Sequence, residues 1–287
     1  MKKNICIVGN NGKEFHLYSL YYKKNKNIVF FAANCPEKLI YPFAGDLYPQ
    51  GIPILPLKDL NTYIEKYYIT DVVFAGSNVS FEYLSVLGQQ LFQRGVDLRY
   101  SPVARMMLKA SKKTIAVCNA VPNVCNHNLI GAIAKTLQNQ KLSWLLRPYN
   151  YTQFCAKALY VNRFHSSFPP AHQRIQSIFR KFHHNVITGN DFRQVLREGE
   201  KQGNFLLVTP PGNDIPFVKP DIYICVLAKN SDFYQHYPGR INVEMANVIV
   251  VSGEEDESQL EKIRIVNPNA HIIKENDIGG EMAALLV

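Results

Sequence analysis

AVCNAVPNVCNHNLIGAIAKTL, residues 116–137, decides how the second half of this chain is read. It continues an apolar run from Thr114 that suits a strand buried on both faces, and from Leu129 the apolar residues recur at helical spacing. Between them lies a short turn of small and polar residues. Strand, turn and helix in that order outline a phosphate-binding loop, but its chemistry is missing. A working G-x-x-x-x-G-K-[ST] loop needs glycines so that successive N–H groups wrap the phosphates, a lysine against the β/γ charge, and a hydroxyl for magnesium. The comparable positions here are Ala120, Cys125, Asn126, His127 and Asn128. Pro122 has no N–H to offer. Neutral histidine is a poor substitute for an ammonium, and a charge-assisted contact contributes about 1.5–3 kcal/mol. The stretch is a plain strand-to-helix turn or a phosphate loop taken apart; neither version holds a nucleotide in the usual way.

Outward from this stretch, short apolar runs alternate with longer amphipathic ones, the pattern of a parallel α/β protein. Before it come ICIVG (5–9), NIVFFAA (27–33), GIPIL (51–55), DVVFAG (71–76) and VDLRY (96–100), separated by stretches of helical spacing, one of them capped at Ser80. After it come LSWLLR (142–147), NVIT (185–188), NFLLVTP (204–210), DIYICVLA (221–228), ANVIVVS (246–252) and HIIK (271–274). Helices are expected over 128–139, 152–161, 170–183, 190–202 and 256–264. The polar Ser111-Lys112-Lys113 segment is the expected boundary between a domain of residues 1–112 and one of residues 113–287.

The chain has 287 residues, 47% of them hydrophobic, enough for two real cores. The start MKKNICIVGNNG is too short in apolar residues for a signal peptide or a membrane span, so a cytoplasmic location is expected. Six scattered cysteines without C-x-x-C or zinc spacing read as reduced, buried thiols, and no metal site is expected. The net charge of +9 is uneven: thirteen Lys and Arg and no Asp or Glu fall between Arg99 and Asn190. That segment could attract an anionic partner. It holds no carboxylate for magnesium or for general-base work. Its cations are not interleaved with aromatics as in nucleic-acid modules, which disfavours nucleic acid as a partner.

Two further stretches could carry chemistry. At the end of the first strand, Gly9, Asn10, Asn11, Gly12, Lys13 and His16 form a glycine-bounded turn before a helix, where backbone N–H groups could meet an anion. Its G-x-x-G spacing is not the dinucleotide fingerprint. Later, FLLVTPPGNDIPF (205–217) ends a buried strand where an aspartate near magnesium would be sought; Thr209 and two prolines stand there instead, leaving Asn213 and Asp214 as polar groups of the loop.

Taken together, these stretches resemble the cyclic 2,3-diphosphoglycerate synthetase family. Gly9 to His16 is similar to its G-x-x-G-R-D-F-H turn, and Tyr41 to Ile54 to its Y-P-x-x-L-A-G-x-L-Y-P-x-G-I-P-I segment. Asp71 to Glu82, with Ser77, Asn78 and Ser80, follows D-E-V-V-F-A-Y-S-D-V-S-H-E, and Met107 to Cys118 follows M-L-K-S-K-K-P-V-I-A-V-C. Asn213-Asp214-Ile215-Pro216-Phe217 resembles N-D-x-P-F, and Tyr237 to Asn242 resembles H-P-G-E-x-N. The resemblance implies a Rossmann-like domain followed by a P-loop NTPase-like domain that, in active members, uses ATP to close an intramolecular phosphoanhydride in 2,3-diphosphoglycerate. The departures are systematic. G-C-G-K-S is replaced by Val124 to Asn128, D-G-G by Thr209-Pro210-Pro211, and an N-K-x-D-like segment by Ser252-Gly253-Glu254-Glu255; the acidic E-x-x-E-Y-E patch is absent, and family members continue beyond the position of Val287.

The expectation is therefore an α/β protein whose nucleotide motifs are degenerate. It would act by binding a small anionic, phosphorylated ligand or a protein partner through Gly9–His16, Ser77 and Asn78, or through the second domain's Asn123, Asn126, His127, Asn128, Asn213 and Asp214. No cofactor is expected. The alternatives are an active ATP-dependent ligase or phosphotransferase with His127 and Asp214 as catalytic candidates and Mg-ATP as cofactor, or a non-catalytic subunit beside an active paralogue. A homo-oligomer or such a hetero-oligomer would fit; a membrane is not among the expected partners.

Overall fold

The computed structural model describes residues 3–9, 12–101, 103–124, 126–146, 159–160, 177–189, 191–253 and 256–286. They divide into two compact units, one ending at Met106 and the other beginning at Met107. Both are α/β with mainly parallel sheets, as expected. The expected helix over 152–161 lies outside the described residues but for 159–160, which are strand, and that over 170–183 is described only from 177.

In the first unit β1 (Ile5–Val8), β2 (Ile28–Ala33), β3 (Leu39–Tyr41), β4 (Ile52–Pro56) and β5 (Asp71–Phe74) are followed by the two-residue β6 (Val79–Ser80) and by β7 (Asp97–Tyr100). The sheet runs β3-β4-β2-β1-β5-β7, parallel throughout except for β3. Helices α1 (Lys13–Leu17), α2 (Leu60–Lys66), α3 (Phe81–Phe92) and α4 (Val103–Met106) connect it, and α1 continues as a π-helix over Tyr18–Tyr22. Ser80 caps α3 as expected, its hydroxyl accepting from Tyr83 N at 3.0 Å. The core gathers Ile5, Ile7, Phe31, Ile52 and Ile54 from the strands around Phe15, Leu17 and Tyr18; the Phe15 and Tyr41 rings stack at 4.4 Å.

The second sheet contains β8 (Lys113–Asn119), β9 (Leu142–Leu146), β10 (Leu159–Tyr160), β11 (Asn185–Thr188), β12 (Phe205–Val208), β13 (Ile222–Ala228), β15 (Val248–Ser252) and β16 (His271–Lys274); β14 (His236–Tyr237) stands outside it. Its order is β10-β11-β9-β12-β8-β13-β15-β16, with only β10 antiparallel. The helices are α5 (His127–Thr136), α6 (described over 177–181), α7 (Phe192–Gln202), α8 (Gly239–Met245), α9 (Glu257–Val266) and α10 (Ile278–Leu286). Strand β8 is apolar and buried from Ile115 to Cys118 because both faces are covered. Ile115 and Val117 pack with Leu129, Ile130 and Ile133 of α5, while Ala116 and Cys118 pack with Val243 of α8 and Leu260 and Ile263 of α9.

The second unit starts ahead of Ser111–Lys113. Leu108 N donates to Phe217 O and Leu108 O accepts from Lys219 N, both at 2.8 Å, and its side chain packs on the cluster around Phe192 and Val218. The apolar Leu108 is thus part of the second core, so the break precedes the polar segment expected to form it. Among the described residues no helix is long and apolar enough to cross a membrane.

Candidate functional site

Strand β8 lies between β12 and β13. From β8 the chain passes through α5 to β9 on one side, and from β12 it crosses to β13 on the other, so the turns after β8 and β12 share the carboxyl edge at a switch point where α/β proteins hold ligands. The turn in question is Ala120–Asn126. Asn123 has φ 63°, in the left-handed region that asparagine tolerates, and Cys125 lies outside the described residues. His127 and Asn128 open α5, and the side chain of its N-cap residue, Asn126, makes no capping hydrogen bond.

Asn126 of this turn turns inward and is tied to neighbouring groups, whereas Asn123 is exposed. Asn119, the buried last residue of β8, donates from Nδ2 to Val124 O at 3.2 Å and to Gly212 O at 3.1 Å, and its Oδ1 accepts from Asn126 Nδ2 at 3.3 Å. One amide thus ties the turn after β8 to the turn after β12. Asn242 of α8 closes the arrangement from the other side: its Nδ2 donates to Asn119 O and to Asn213 O, both at 2.8 Å, and its Oδ1 accepts the Tyr223 hydroxyl at 2.7 Å. Burial pushes the Tyr223 phenol well above its ordinary pKa, with Cys118 and Cys225 adding to the shift, so it stays a donor. Gly239 lets α8 approach this closely, because a Cβ there would overlap Ala120 O and lie 2.7 Å from Phe233 O.

The positions where phosphate and magnesium groups were sought also have partners, Thr209 in the core and Asn128 at the surface. Thr209 Oγ1 accepts from Trp144 Nε1 at 2.7 Å in the core. Asn128 Nδ2 donates to Glu275 Oε1 at 3.4 Å, and Ser252 Oγ donates to Glu275 Oε2 at 2.7 Å. A carboxylate therefore stands beside the first turn of α5, where the helix dipole favours negative charge. His127 is half-buried at the start of that turn. Asp214 is fully buried and its Oδ1 accepts from Ile215 N at 2.7 Å. Asn213 is equally buried, and neither atom of its side-chain amide has a hydrogen-bond partner among the described residues. Among those residues no group of three His, Cys, Asp or Glu could hold a metal ion.

The structure places Asn126, Asn213 and the backbone around Gly212 together through Asn119 and Asn242, whereas Asn128 is engaged by Glu275. Nothing in the local sequence singles out Asn119, Glu275 or Trp144. Asn242 carries a signal only as the last residue of the Tyr237–Asn242 motif.

In the first unit, Gly9 and Gly12 flank Asn10 and Asn11, which lie outside the described residues. Gly12 has φ 82°, so glycine suits the residue that starts α1. Lys13 and His16 are buried, and His16 Nε2 lies 2.7 Å from Met106 O. Glu14 is fully buried against Gly9, where a Cβ would meet Glu14 Oε2 at 2.5 Å. Ser77, buried, and Asn78, exposed with φ 61°, follow β5, which pairs with β1, so they and the Gly9 turn share one sheet edge.

The chain is 31% identical to arginine synthetase ArcE of Thermococcus kodakarensis over 299 aligned positions, covering 95% of this chain and 66% of that protein. The chain is thus similar in sequence to a synthetase. It spans just under two thirds of the length of that relative. No family model matches it. Distant likenesses exist to LpxK from Aquifex aeolicus in complex with ATP (12% identity, TM-score 0.41, 75% of this chain and 80% of that one). A UDP-N-acetylmuramate:L-alanyl-gamma-D-glutamyl-meso-diaminopimelate ligase from Neisseria meningitides is similarly remote (12%, TM-score 0.35, 96% and 78%).

Proposed function

We propose that this chain does not turn over nucleotide at its phosphate-loop position and acts by binding a small anionic, phosphorylated ligand or a protein partner. The observation that carries the reading is that groups at that position already have partners: Asn126 on Asn119 and Thr209 on Trp144 within the fold, and Asn128 on Glu275 at the surface. A phosphate at the start of α5 would have to displace hydrogen bonds and approach the Glu275 carboxylate, with no lysine in the turn to offset the repulsion. Isothermal titration with Mg-ATP and Mg-GTP tests this directly. Absence of heat and of phosphate release is the expected result; micromolar binding with sustained phosphate release would overturn it.

A second reading, an ATP-dependent ligase or phosphotransferase acting on a small phosphorylated or carboxylated metabolite through a remodelled site, is favoured by the similarity to arginine synthetase along nearly the whole chain. The buried, unsatisfied amide of Asn213 beside the turn supports a ligand-dependent rearrangement there. His127→Ala and Asp214→Ala separate the two readings, since only an enzyme has turnover to lose. Co-expression with an active paralogue that pulls this chain down would favour the subunit version of the first.

A further inference from the structure

Past β12 the chain turns through Pro210, Pro211, Gly212 and Asn213, and both ends of this stretch are fixed. At one end Thr209 accepts from Trp144 Nε1 in the core. At the other, Asp214 Oδ1 accepts from Ile215 N, Ile215 and Phe217 are buried, and Phe217 O accepts from Leu108 N. The part between is short of backbone donors, since two prolines have no N–H. Gly212 sits at φ 59°, and glycine can leave that conformation for many others at little steric cost. Across it, Asp214 N donates to Pro211 O at 3.2 Å, so a rotation at Gly212 breaks that bond.

Asn213 is held by its backbone and not by its side chain. Its O accepts from Asn242 Nδ2 at 2.8 Å, and Gly212 O beside it accepts from Asn119 Nδ2 at 3.1 Å. The residue is fully buried, yet neither atom of its amide has a hydrogen-bond partner among the described residues. The amides of Asn119, Asn126 and Asn242 around it all bond. Two donors and an acceptor kept from water without compensation raise the energy of this arrangement against any that hydrates them. The ties oppose this only through two carbonyls, which exchange one hydrogen bond each for water when they are released, at a small net cost.

We propose that residues 210–213 form a flap with two arrangements: the buried one, and a less populated one reached by rotation at Gly212, in which the Asn213 amide meets solvent. The two differ by the balance of one unmet amide against a few hydrogen bonds, which corresponds to a minor population of about 0.1–10%. Opening removes Gly212 O from Asn119 and Asn213 O from Asn242, so the turn after β8 loses a tie at the same moment as the turn after β12. The switch point between these strands is thereby loosened on both sides at once, and a ligand that binds there selects the minor arrangement. The equilibrium belongs to the chain itself and rests on neither reading of the site.

Hydrogen exchange of the full chain, read by nuclear magnetic resonance with and without low urea, tests the proposal. The Asp214 amide should exchange with a protection factor of about 10–1,000 that hardly changes with urea, because the opening exposes little surface. The amides of β12 should exchange far more slowly, through larger openings that urea promotes. Asn213→Leu keeps the size of the side chain and leaves nothing to hydrate, so it should slow exchange at Asp214 about tenfold or more and raise the urea midpoint. Wild-type exchange at Asp214 as slow and as urea-dependent as that of β12, or an Asn213→Leu chain in which it is unchanged or faster, would overturn the proposal. Should Asn213→Leu fail to fold, the wild-type exchange decides alone.

Discussion

If Asn119 is the tie between the two turns, its isosteric replacement by aspartate should be among the costliest single changes in the second unit. The substitution exchanges Nδ2 for an oxygen at the same place, so contacts of 3.2 Å to Val124 O and 3.1 Å to Gly212 O become oxygen facing oxygen. Two hydrogen bonds disappear, at about 0.5–1.5 kcal/mol each, and both carbonyls lose a partner in a site with almost no solvent. A buried carboxylate adds its own desolvation cost, and together these imply roughly 3–5 kcal/mol at neutral pH. That is a large share of a domain stability of about 5–15 kcal/mol. Asn119→Ala removes the same donors without adding charge and should cost less, about 2–3 kcal/mol. The two variants also differ in pH dependence. Burial and the two facing carbonyl oxygens raise the pKa of the introduced carboxyl above the ordinary aspartate value of about 3.9, so the penalty is full above the raised pKa. It shrinks as pH falls through that raised value, because the protonated carboxyl can donate to one carbonyl. Urea unfolding at pH 7.5 and pH 5, followed by the emission of Trp144, the chain's single tryptophan, measures both effects. An Asn119→Asp stability within about 0.5 kcal/mol of the parent, below the range of a lost buried hydrogen bond, would refute the reasoning.

The same packing sets three more outcomes. Gly239→Ala places a Cβ against two backbone carbonyls and should cost about 1–3 kcal/mol or more in urea unfolding, unless α8 slides. Thr209→Val removes the Thr209 hydroxyl that accepts from the buried Trp144 indole N–H, so a loss of about 1–3 kcal/mol and an altered Trp144 emission are expected, whereas Thr209→Ser keeps the acceptor and the emission. Burial lowers the pKa of His184, whose Nε2 lies 2.8 Å from Ala134 O and whose ring packs on Phe179. Its contribution is therefore complete above the unfolded value of about 6.5 and is lost as pH falls through the lowered folded value. His184→Gln should flatten the stability profile as pH falls below about 6.5, measured as the slope of unfolding free energy against pH.

Much of the fold is legible because a strand covered on both faces must be apolar at nearly every position. DVVFAG, TIAVCNA, NFLLVTP and DIYICVLA accordingly fall on β5, β8, β12 and β13. Strand β3 is not legible: it is three residues long, exposes Ile40, and joins its sheet antiparallel at the edge, so it offers neither a long run nor a clean alternation. The π-helical continuation of α1 is equally invisible, since Tyr18–Tyr22 has the spacing of any amphipathic helix. The turn between β8 and α5 shows in the sequence as an outline, but the partners of its polar groups do not. Asn242 is 123 positions from Asn119, and Glu275 is 147 positions from Asn128. An asparagine carries the same letter whether its amide faces solvent, a ligand or a carbonyl, and only the topology that carries the turns after β8 and β12 to one edge decides among these. The distinction bears on what a reversion could do. His127→Lys would return one charge to the turn, yet Asn119 would still tie it to Gly212, Asn242 would still hold its base, and Glu275 would still stand beside α5. Each of these groups comes from a different element, so the hydrogen bonding of the turn is a property of the assembled sheet edge, and restoring the motif letter by letter within 120–128 leaves those partners in place.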